Sequence, residues 1–506
     1  MTELSEGSIA DAPAAPAHAA RARRLPLLLA VAALVWGAAA AAYYAAQGLT
    51  LSHYDAKAHL VVARRIIDSL TPGWVQIGAV WLPLPHLINM LPVQVDAWYR
   101  SGLSAVIVSV ASFALLVFSA VRLNLQFGRW PAAALAAVLL AANPNLLYLQ
   151  STPMTEPLLL GLLGLAIAEL ARAVDDERSL TRGSVVLMLA VMTRYEAWPA
   201  AAAVAAGVGL ARWQQGRSPG AALRDALRAV RWPIVAMLWF FVHSRLTVGE
   251  WFVTGGFYVP DPQYLHRPHA VALALWHGTR VLGSITLALA APVAVAWLAL
   301  LWARRRIRPA AVIGLAWVAV GALPAYAFFE GHPFRVRYMV PLVTAAAVLV
   351  PLAIDRLPRP RARTVAAVLL LAGVLGSVRP FDSGAAMVRE AQWDRPKSLA
   401  RQQVTACLPE PDGTVTVLAS MGSLAHYMQE LSHRGFAIRD FVHEGNGELW
   451  AAAVDRPRDH VRWILIEEVS EGGDVLAQRA RSDPAFLDGF ARTCEAAGVV
   501  LYERRD

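Results

Sequence analysis

An aspartate and two histidines follow the first long apolar stretch of the sequence. Residues 51–59 read Leu-Ser-His-Tyr-Asp-Ala-Lys-Ala-His, so Asp55 and His59 lie four positions apart and would share one face of a helix. A carboxylate in a partly dry cleft binds protons more tightly than one in water, which suits a general base that deprotonates a hydroxyl group. The alternative is that Asp55 caps the N-terminus of a helix.

Lys57 and the neighbouring histidines could bind an anion or a metal ion. Lys57 is one of only two lysines in the chain, and it either meets an anionic group such as a phosphate or snorkels at a membrane interface. His53, Asp55 and His59 are metal-ligand types, but the set is incomplete for a zinc site. We therefore predict no metal site and no certain cofactor, and a divalent cation stays open.

A second carboxylate, Glu156, stands at the start of another apolar stretch. Pro157 follows it and suits the first turn of a helix, where a negative charge is also favourable. That is a purely structural interpretation. The functional alternative is a second acidic group that faces Asp55 across a cleft.

Arg194, Tyr195 and Glu196 interrupt two apolar stretches. An arginine and a glutamate at membrane depth are costly unless they pair or function. An ion pair between Arg194 and Glu196 is the structural interpretation, and contact with a polar substrate is the functional one.

A cationic segment at residues 330–338 precedes another apolar stretch and ends in His-Pro-Phe-Arg-Val-Arg-Tyr. Arg335 and Arg337 suit bidentate binding of a phosphate, with His332 and Tyr338 beside them as polar partners. The alternative is simple anchoring at the membrane interface.

The composition decides which kind of protein must position these residues. Of the 506 residues, 57% are hydrophobic and only 16% are charged, against about 25% charged residues in soluble domains. A soluble chain cannot hide so much apolar surface, so this is an integral membrane protein. The net charge of +9 comes mostly from arginines between apolar stretches, a pattern typical of membrane orientation rather than of nucleic-acid binding.

The apolar stretches predict eleven transmembrane helices after a disordered cytoplasmic tail at residues 1–24. With the N-terminus in the cytoplasm, every strong arginine tract falls on the cytoplasmic side, as the positive-inside bias requires. The predicted helices lie near residues 25–46, 101–121, 131–149, 157–173, 184–196, 197–211, 232–247, 281–302, 309–329, 338–355 and 364–378.

This count divides the chain into a transmembrane module at residues 25–379, with a long first outer loop at 48–100, and an extracytoplasmic α/β domain at 380–506. Strand patterns near 415–419, 436–442, 463–467 and 499–502 alternate there with helical patterns near 423–433 and 475–492. Cys407 and Cys494 both fall in this domain, either bridged or as two buried free thiols. We predict a multi-pass protein of the bacterial inner membrane, with its active site and C-terminal domain facing the periplasm.

A carboxylate, a second acid and several cations beside the hydrocarbon suit a lipid-linked sugar phosphate as substrate. The segments that carry these residues resemble the GT-C superfamily of polytopic glycosyltransferases, in particular its protein O-mannosyltransferase and lipid A aminoarabinose transferase-like group. The segments concerned are Tyr54-Asp55, residues 81–86, residues 151–157, residues 194–198 and residues 335–338.

The resemblance implies an inverting membrane glycosyltransferase that uses a polyprenyl-phosphate-linked sugar, hexose or pentose, and a glycan, lipid or protein acceptor. Asp55 would be the catalytic base and Glu156 the second catalytic acid group, while Arg335 and Arg337 would stabilise the leaving phosphate. The other substrate-binding residues would be Lys57, His59, Arg194, Tyr195, Glu196, His332 and Tyr338.

One departure from the family pattern leaves the sugar open, and two other functions remain as alternatives. The aminoarabinose transferases carry a Lys-Pro-Pro-Leu stretch where this chain has Trp-Leu-Pro-Leu-Pro at residues 81–85, so that sugar is not implied. The alternatives are a membrane polysaccharide polymerase or ligase, and a transporter of a lipid-linked or small polar substrate. A transporter would favour internal repeats and charges near the bilayer midplane, and neither is evident in this sequence.

Overall fold

A computed structural model describes residues 16–253, 258–411, 413, 416–469 and 472–505. Residues 1–15 of the predicted disordered tail lie outside the described part. The first helix begins at Pro16, within the predicted tail, because the alanine-rich sequence there favours a helix that continues the apolar stretch.

The described residues up to 375 fold mainly into helices. The α-helices are α1 (Pro16–Ala46), α2 (Tyr54–Arg65), α3 (Leu84–Asn89), α4 (Asp96–Ser101), α5 (Leu103–Phe127), α6 (Trp130–Ala142), α7 (Pro144–Leu149), α8 (Glu156–Asp175), α9 (Thr181–Val191), α10 (Ala197–Gln214), α11 (Pro219–Val248), α12 (Pro268–Gly283), α13 (Ile285–Ala303), α14 (Ala322–Phe329), α15 (Val340–Asp355) and α16 (Pro360–Leu375). The 3-10 helices are Trp74–Ile77, Pro92–Gln94, Pro309–Gly321 and Val336–Met339.

Within the described residues, seven helices are long and apolar enough to cross a membrane: Arg24–Ala46, Leu103–Phe127, Glu156–Asp175, Pro219–Val248, Ile285–Ala303, Pro309–Phe329 and Val336–Asp355. They differ in how deeply they are enclosed. The most apolar window of α1 is 22% buried, whereas those of α8 and Val336–Asp355 are each 83% buried. The exposed leucines and valines of α1 therefore face lipid, and the two enclosed helices form the centre of the bundle.

Each of the eleven predicted transmembrane segments overlaps a helix. Four of them coincide with helices outside the group of seven, namely α6, α9, α10 and α16, which have 13, 11, 18 and 16 residues. The segment predicted at 131–149 is divided at Asn143-Pro144, where Asn143 caps the short α7. The count of eleven spans stays a prediction.

The C-terminal region combines helices with one five-stranded sheet of order β2-β1-β3-β5-β4. The strands β1 to β3 are parallel, and β5 and β4 continue the sheet in antiparallel pairing. The strands are β1 (Val417–Ala419), β2 (Phe441–Val442), β3 (Trp463–Glu467), β4 (Phe490–Ala496) and β5 (Val499–Arg504). The helices are α17 (Ala386–Ala391), α18 (Arg395–Cys407), α19 (Met421–Leu431), α20 (Glu448–Asp455), α21 (Pro457–His460) and α22 (Val475–Ser482), with 3-10 helices at Ser432–Arg434, Ile438–Asp440, Glu444–Asn446 and Pro484–Leu487.

Two features of this region answer open points of the sequence. Cys407 at the end of α18 and Cys494 on β4 form a disulfide across 87 residues of sequence, so they are bridged rather than free. The helix predicted at 475–492 ends at Ser482, and β4 begins at Phe490 instead. That strand was missed because it lies at the sheet edge, where polar residues alternate only weakly with buried ones.

The C-terminal region packs directly on α2, the helix that carries Asp55. Leu60 and Val61 of α2 belong to the same hydrophobic cluster as Leu424 and Tyr427 of α19. Polar contacts add to this packing, because the carboxylate of Asp68 accepts from both the side chain of Arg439 and the backbone of Ile438. The segment bearing Asp55 is thus held between the bundle and the C-terminal region.

Candidate active site

Asp55 lies in the first turn of α2, and another residue caps the N-terminus of this helix. The cap is His53, whose Nδ1 accepts a hydrogen bond from the backbone N–H of Asp55 at 3.1 Å. The interpretation of Asp55 as the helix cap is therefore wrong, and its carboxylate has another partner.

That partner is Arg337, which lies in the 3-10 helix Val336–Met339 leading into α15. Nη2 of Arg337 is 2.5 Å from Oδ2 of Asp55, and the two side chains are only 7% and 11% exposed. Nη1 of Arg337 is 2.9 Å from Nε2 of His53. The first interhelical loop and the enclosed Val336–Asp355 helix thus meet through a buried ion pair.

The ion pair continues into a chain of charges that alternate in sign. Glu156, the first residue of α8, has Oε1 at 3.9 Å from Nε of Arg337 and at 3.1 Å from Nη1 of Arg194. Arg194 also lies 2.7 Å from Glu196, as the ion-pair interpretation of the sequence predicts. Side chains from four separate parts of the sequence therefore form one buried network with three carboxylates and two guanidinium groups.

The electrostatics of Asp55 differ from the sequence prediction. Burial by itself would raise the pKa of Asp55, but the guanidinium of Arg337, followed by His53 and His59, holds that pKa well below its ordinary value. The predicted increase in proton affinity is wrong for this arrangement, because the guanidinium stabilises the charged carboxylate. While Arg337 stays in contact, Asp55 is ionised and a weak base.

Two predicted binding residues of α2 have their contact partners outside this network. Nζ of Lys57 is 2.6 Å from Oε1 of Glu430 on α19. Nδ1 of His59 lies 3.1 Å from Nε2 of His86, and its ring centroid is 4.0 Å from that of Trp81. Lys57 thus joins α2 to the C-terminal region, and His59 belongs to a cluster of aromatic and imidazole rings beside the network.

The remaining predicted residues lie around the network. Tyr338 has its ring 5.3 Å from the guanidinium of Arg337 and its hydroxyl 3.3 Å from Nε2 of His332. Arg335 donates to the carbonyl of the preceding residue at 3.3 Å, and Tyr195 donates to the carbonyl of Val80 at 3.1 Å.

The metal-ligand types noted in the sequence do not converge on one point. His53 contacts Arg337 and His59 contacts His86, so their imidazoles point to different partners. In the part of the chain that the structure describes, no group of three or more His, Cys, Asp and Glu side chains is arranged to hold a metal ion.

The fold of this chain is similar to that of solved membrane transferases. No family model and no curated protein matches the chain. The apo structure of ArnT from Cupriavidus metallidurans matches with a TM-score of 0.58 at 15% identity, over 95% of this chain and 98% of that one. ArnT bound to undecaprenyl phosphate matches with a TM-score of 0.54 at 14% identity, over 97% and 98% of the two chains. The apo oligosaccharyltransferase of Archaeoglobus fulgidus matches with a TM-score of 0.53 at 10% identity, over 90% of this chain and 72% of that one.

ArnT is a lipid A aminoarabinose transferase, and both ArnT and the archaeal enzyme are GT-C glycosyltransferases. The chain has the GT-C fold. The resemblance drawn from the short polar segments is thereby confirmed as a likeness of fold, together with the predicted helical membrane module and the C-terminal α/β region.

One residue that contacts the network escaped the sequence analysis, and it lies in α17, after the last helix of the bundle. Glu390 of α17 accepts the backbone N–H of Val336 at 2.5 Å through Oε2 and that of Arg337 at 3.4 Å through Oε1. Burial raises the pKa of Glu390, although Arg337 and these two backbone N–H groups oppose the rise. Its position in a short polar helix gives no signal of this contact in the sequence. The C-terminal region therefore fixes the backbone at Arg337 as well as α2.

Acid should weaken the attachment of the C-terminal region to α2. Burial alone would raise the pKa of Glu430, but Lys57 and Arg401 lower it from 4.5 to about 2. Because the folded-state pKa lies below the unfolded value, this stabilisation is complete above pH 4.5 and disappears as the pH falls toward about 2. We expect up to about 3 kcal/mol of stability to depend on this titration. As the pH is lowered from 4.5 to about 2, the melting temperature of wild type should therefore fall more steeply than that of Glu430→Gln. Parallel falls in the two melting temperatures would contradict the assignment.

Proposed function

We propose that this chain is a membrane glycosyltransferase that moves a sugar from a polyprenyl-phosphate-linked donor to a hydroxyl group of a glycan, lipid or protein acceptor. The observation that carries the proposal is the buried contact between Asp55 and Arg337 within a GT-C fold. It brings together a carboxylate suited to remove a proton and a cation suited to bind a phosphate.

The reaction follows from these two groups. A carboxylate oxygen of Asp55 takes the proton of the acceptor hydroxyl, whose oxygen attacks the anomeric carbon on the face opposite the phosphate. The bond between that carbon and the phosphate oxygen breaks, the configuration inverts, and polyprenyl phosphate leaves with the electron pair. Arg337 and Arg335 stabilise the charge that develops on the leaving phosphate. Glu156, held by Arg194, orients the sugar or the acceptor.

Position in the bundle supports a lipid-linked donor. Glu156 and Arg337 stand at the beginnings of the two most enclosed helices of the group of seven, where the charged network borders the apolar bundle. ArnT has been crystallised with undecaprenyl phosphate, and the archaeal enzyme AglB in complex with dolichol phosphate matches with a TM-score of 0.50. We extend this by proposing a site on the periplasmic face of a bacterial inner membrane, covered by the region from residue 380 onward.

The test uses the full-length protein in lipid nanodiscs. Undecaprenyl-phosphate sugars, both hexoses and pentoses, are supplied singly with membrane extracts as a source of acceptors, and release of undecaprenyl phosphate is followed by mass spectrometry. We expect release with one donor class that increases when acceptor is added. If the folded protein releases no undecaprenyl phosphate from any donor and does not bind undecaprenyl phosphate directly, the proposal is wrong.

A further inference from the structure

The guanidinium of Arg337 meets a different neighbour at each nitrogen. Nη2 pairs with Asp55 at 2.5 Å, Nη1 lies 2.9 Å from Nε2 of His53, and Nε is 3.9 Å from Glu156. Nε is buried and makes no hydrogen bond. The cation proposed to hold the donor phosphate is therefore paired with the proposed base. The pair occupies the guanidinium of Arg337 and makes the carboxylate of Asp55 a weaker base.

N–H groups approach both ring nitrogens of His53, Nδ1 from Asp55 and Nε2 from Arg337. A neutral imidazole has one donor nitrogen and one acceptor nitrogen. Burial, together with Arg337, lowers the pKa of His53 to about 3, so the ring is neutral at pH 7. In the tautomer in which Nδ1 caps α2 by accepting the backbone N–H of Asp55, the proton is on Nε2 and faces an N–H of Arg337. Two donors thus meet without an acceptor between them, and the oxygen of an anion would satisfy both.

We propose that the donor phosphate binds between Arg337 and His53 and displaces the carboxylate of Asp55 from the guanidinium. The inference rests on the proposed function and adds an order of events to it. Asp55 occupies the phosphate position on Arg337 until the lipid-linked donor arrives. Once displaced, Asp55 loses the cation that makes it a weak base, and it becomes able to deprotonate the acceptor.

This exchange predicts an affinity change opposite to that of an ordinary binding residue. In Asp55→Asn, phosphate no longer competes with a carboxylate for Arg337. We expect undecaprenyl phosphate to bind Asp55→Asn about tenfold more tightly than wild type, the effect of one charge-assisted hydrogen bond. The measurement is titration of undecaprenyl phosphate into nanodisc-embedded protein, with thermal unfolding to verify each fold.

His53 provides the second arm of the test. His53→Asn keeps a side-chain oxygen that can cap α2 but has no donor at the position of Nε2, whereas the amide nitrogen of His53→Gln can reach that position. We expect about tenfold weaker binding of undecaprenyl phosphate in His53→Asn and near wild-type binding in His53→Gln. The matched control is His443→Asn. His443 caps a 3-10 helix of the C-terminal region in the same way, with Nδ1 accepting from Gly445 at 3.1 Å, and its replacement should leave the affinity unchanged.

The outcomes separate the inference from the proposed function. Tighter binding in Asp55→Asn with weaker binding in His53→Asn supports the exchange. If wild type binds and releases undecaprenyl phosphate but folded Asp55→Asn binds it equally or more weakly, the exchange is wrong and the proposed function stands. If wild type binds none, both fail.

Discussion

Asp55→Asn is expected to reduce the turnover number for release of polyprenyl phosphate by about 10²- to 10⁴-fold, the usual contribution of a general base. Asparagine has the size of aspartate but cannot take up the acceptor proton. Its amide can still approach Arg337, so the site should keep its shape. The measurement is a steady-state rate with the donor class that supports release in the assay proposed above, at saturating donor and acceptor.

The control for this variant is Asp96→Asn, which makes the same chemical change in the same interhelical loop. Asp96 is 54% exposed and pairs with Arg64 at 2.6 Å, away from the buried network. Arg64 keeps its partner Asp68 at 2.8 Å in this variant, and Asp96 itself is largely exposed, so Asp96→Asn should retain activity and fold. Equal turnover in wild type and Asp55→Asn would show that Asp55 is not the general base.

Arg194→Ala is expected to produce the largest loss of stability in the bundle, about 3–5 kcal/mol. Arg194 neutralises Glu156 and Glu196, whose side chains are only 1% and 4% exposed. Removing the guanidinium leaves Glu196 buried without a cation and leaves Glu156 with only the more distant Arg337, at 3.9 Å. The measurement is unfolding in detergent micelles, followed by tryptophan fluorescence.

The matched comparison is Arg172→Ala, which removes an exposed arginine that lies 3.3 Å from Asp176. We expect this variant to lose less than about 1 kcal/mol. Adding Glu196→Gln to Arg194→Ala should restore part of the stability, because it removes one unpaired charge. A loss in Arg194→Ala no greater than that in Arg172→Ala would show that the buried network does not stabilise the bundle.

The membrane module and the main residues of the network were predictable for one physical reason. Charge is costly among apolar helices, so Glu156, Arg194 and Arg337 are conspicuous in the sequence, and orientation rules bring them to one side. Asp55 is predictable because it follows an apolar stretch directly. The pairing of these residues, and hence the lowered pKa of Asp55, depends on distances that only the folded chain sets.

Three other features of the site gave no signal in the sequence, each for its own reason. Lys57 appeared suited to a phosphate, but its partner is Glu430, 373 residues later in the sequence. Glu390 acts on backbone N–H groups, which no side-chain pattern reveals. His53 caps a helix through its ring nitrogen, a role that sequence preferences assign to Asp, Asn, Ser or Thr.

The long separation between partners in the network has a consequence for how the protein is made. His53 and Arg337 are 284 residues apart, and at roughly 5–20 residues per second the ribosome completes the second roughly 15–60 seconds after the first. Glu156 and Arg194 emerge close together and can pair early, whereas Asp55 must wait beside the membrane for its cation. The loop that carries Asp55 therefore keeps its carboxylate in water during most of synthesis, and the buried network closes only after the Val336–Asp355 helix has been made.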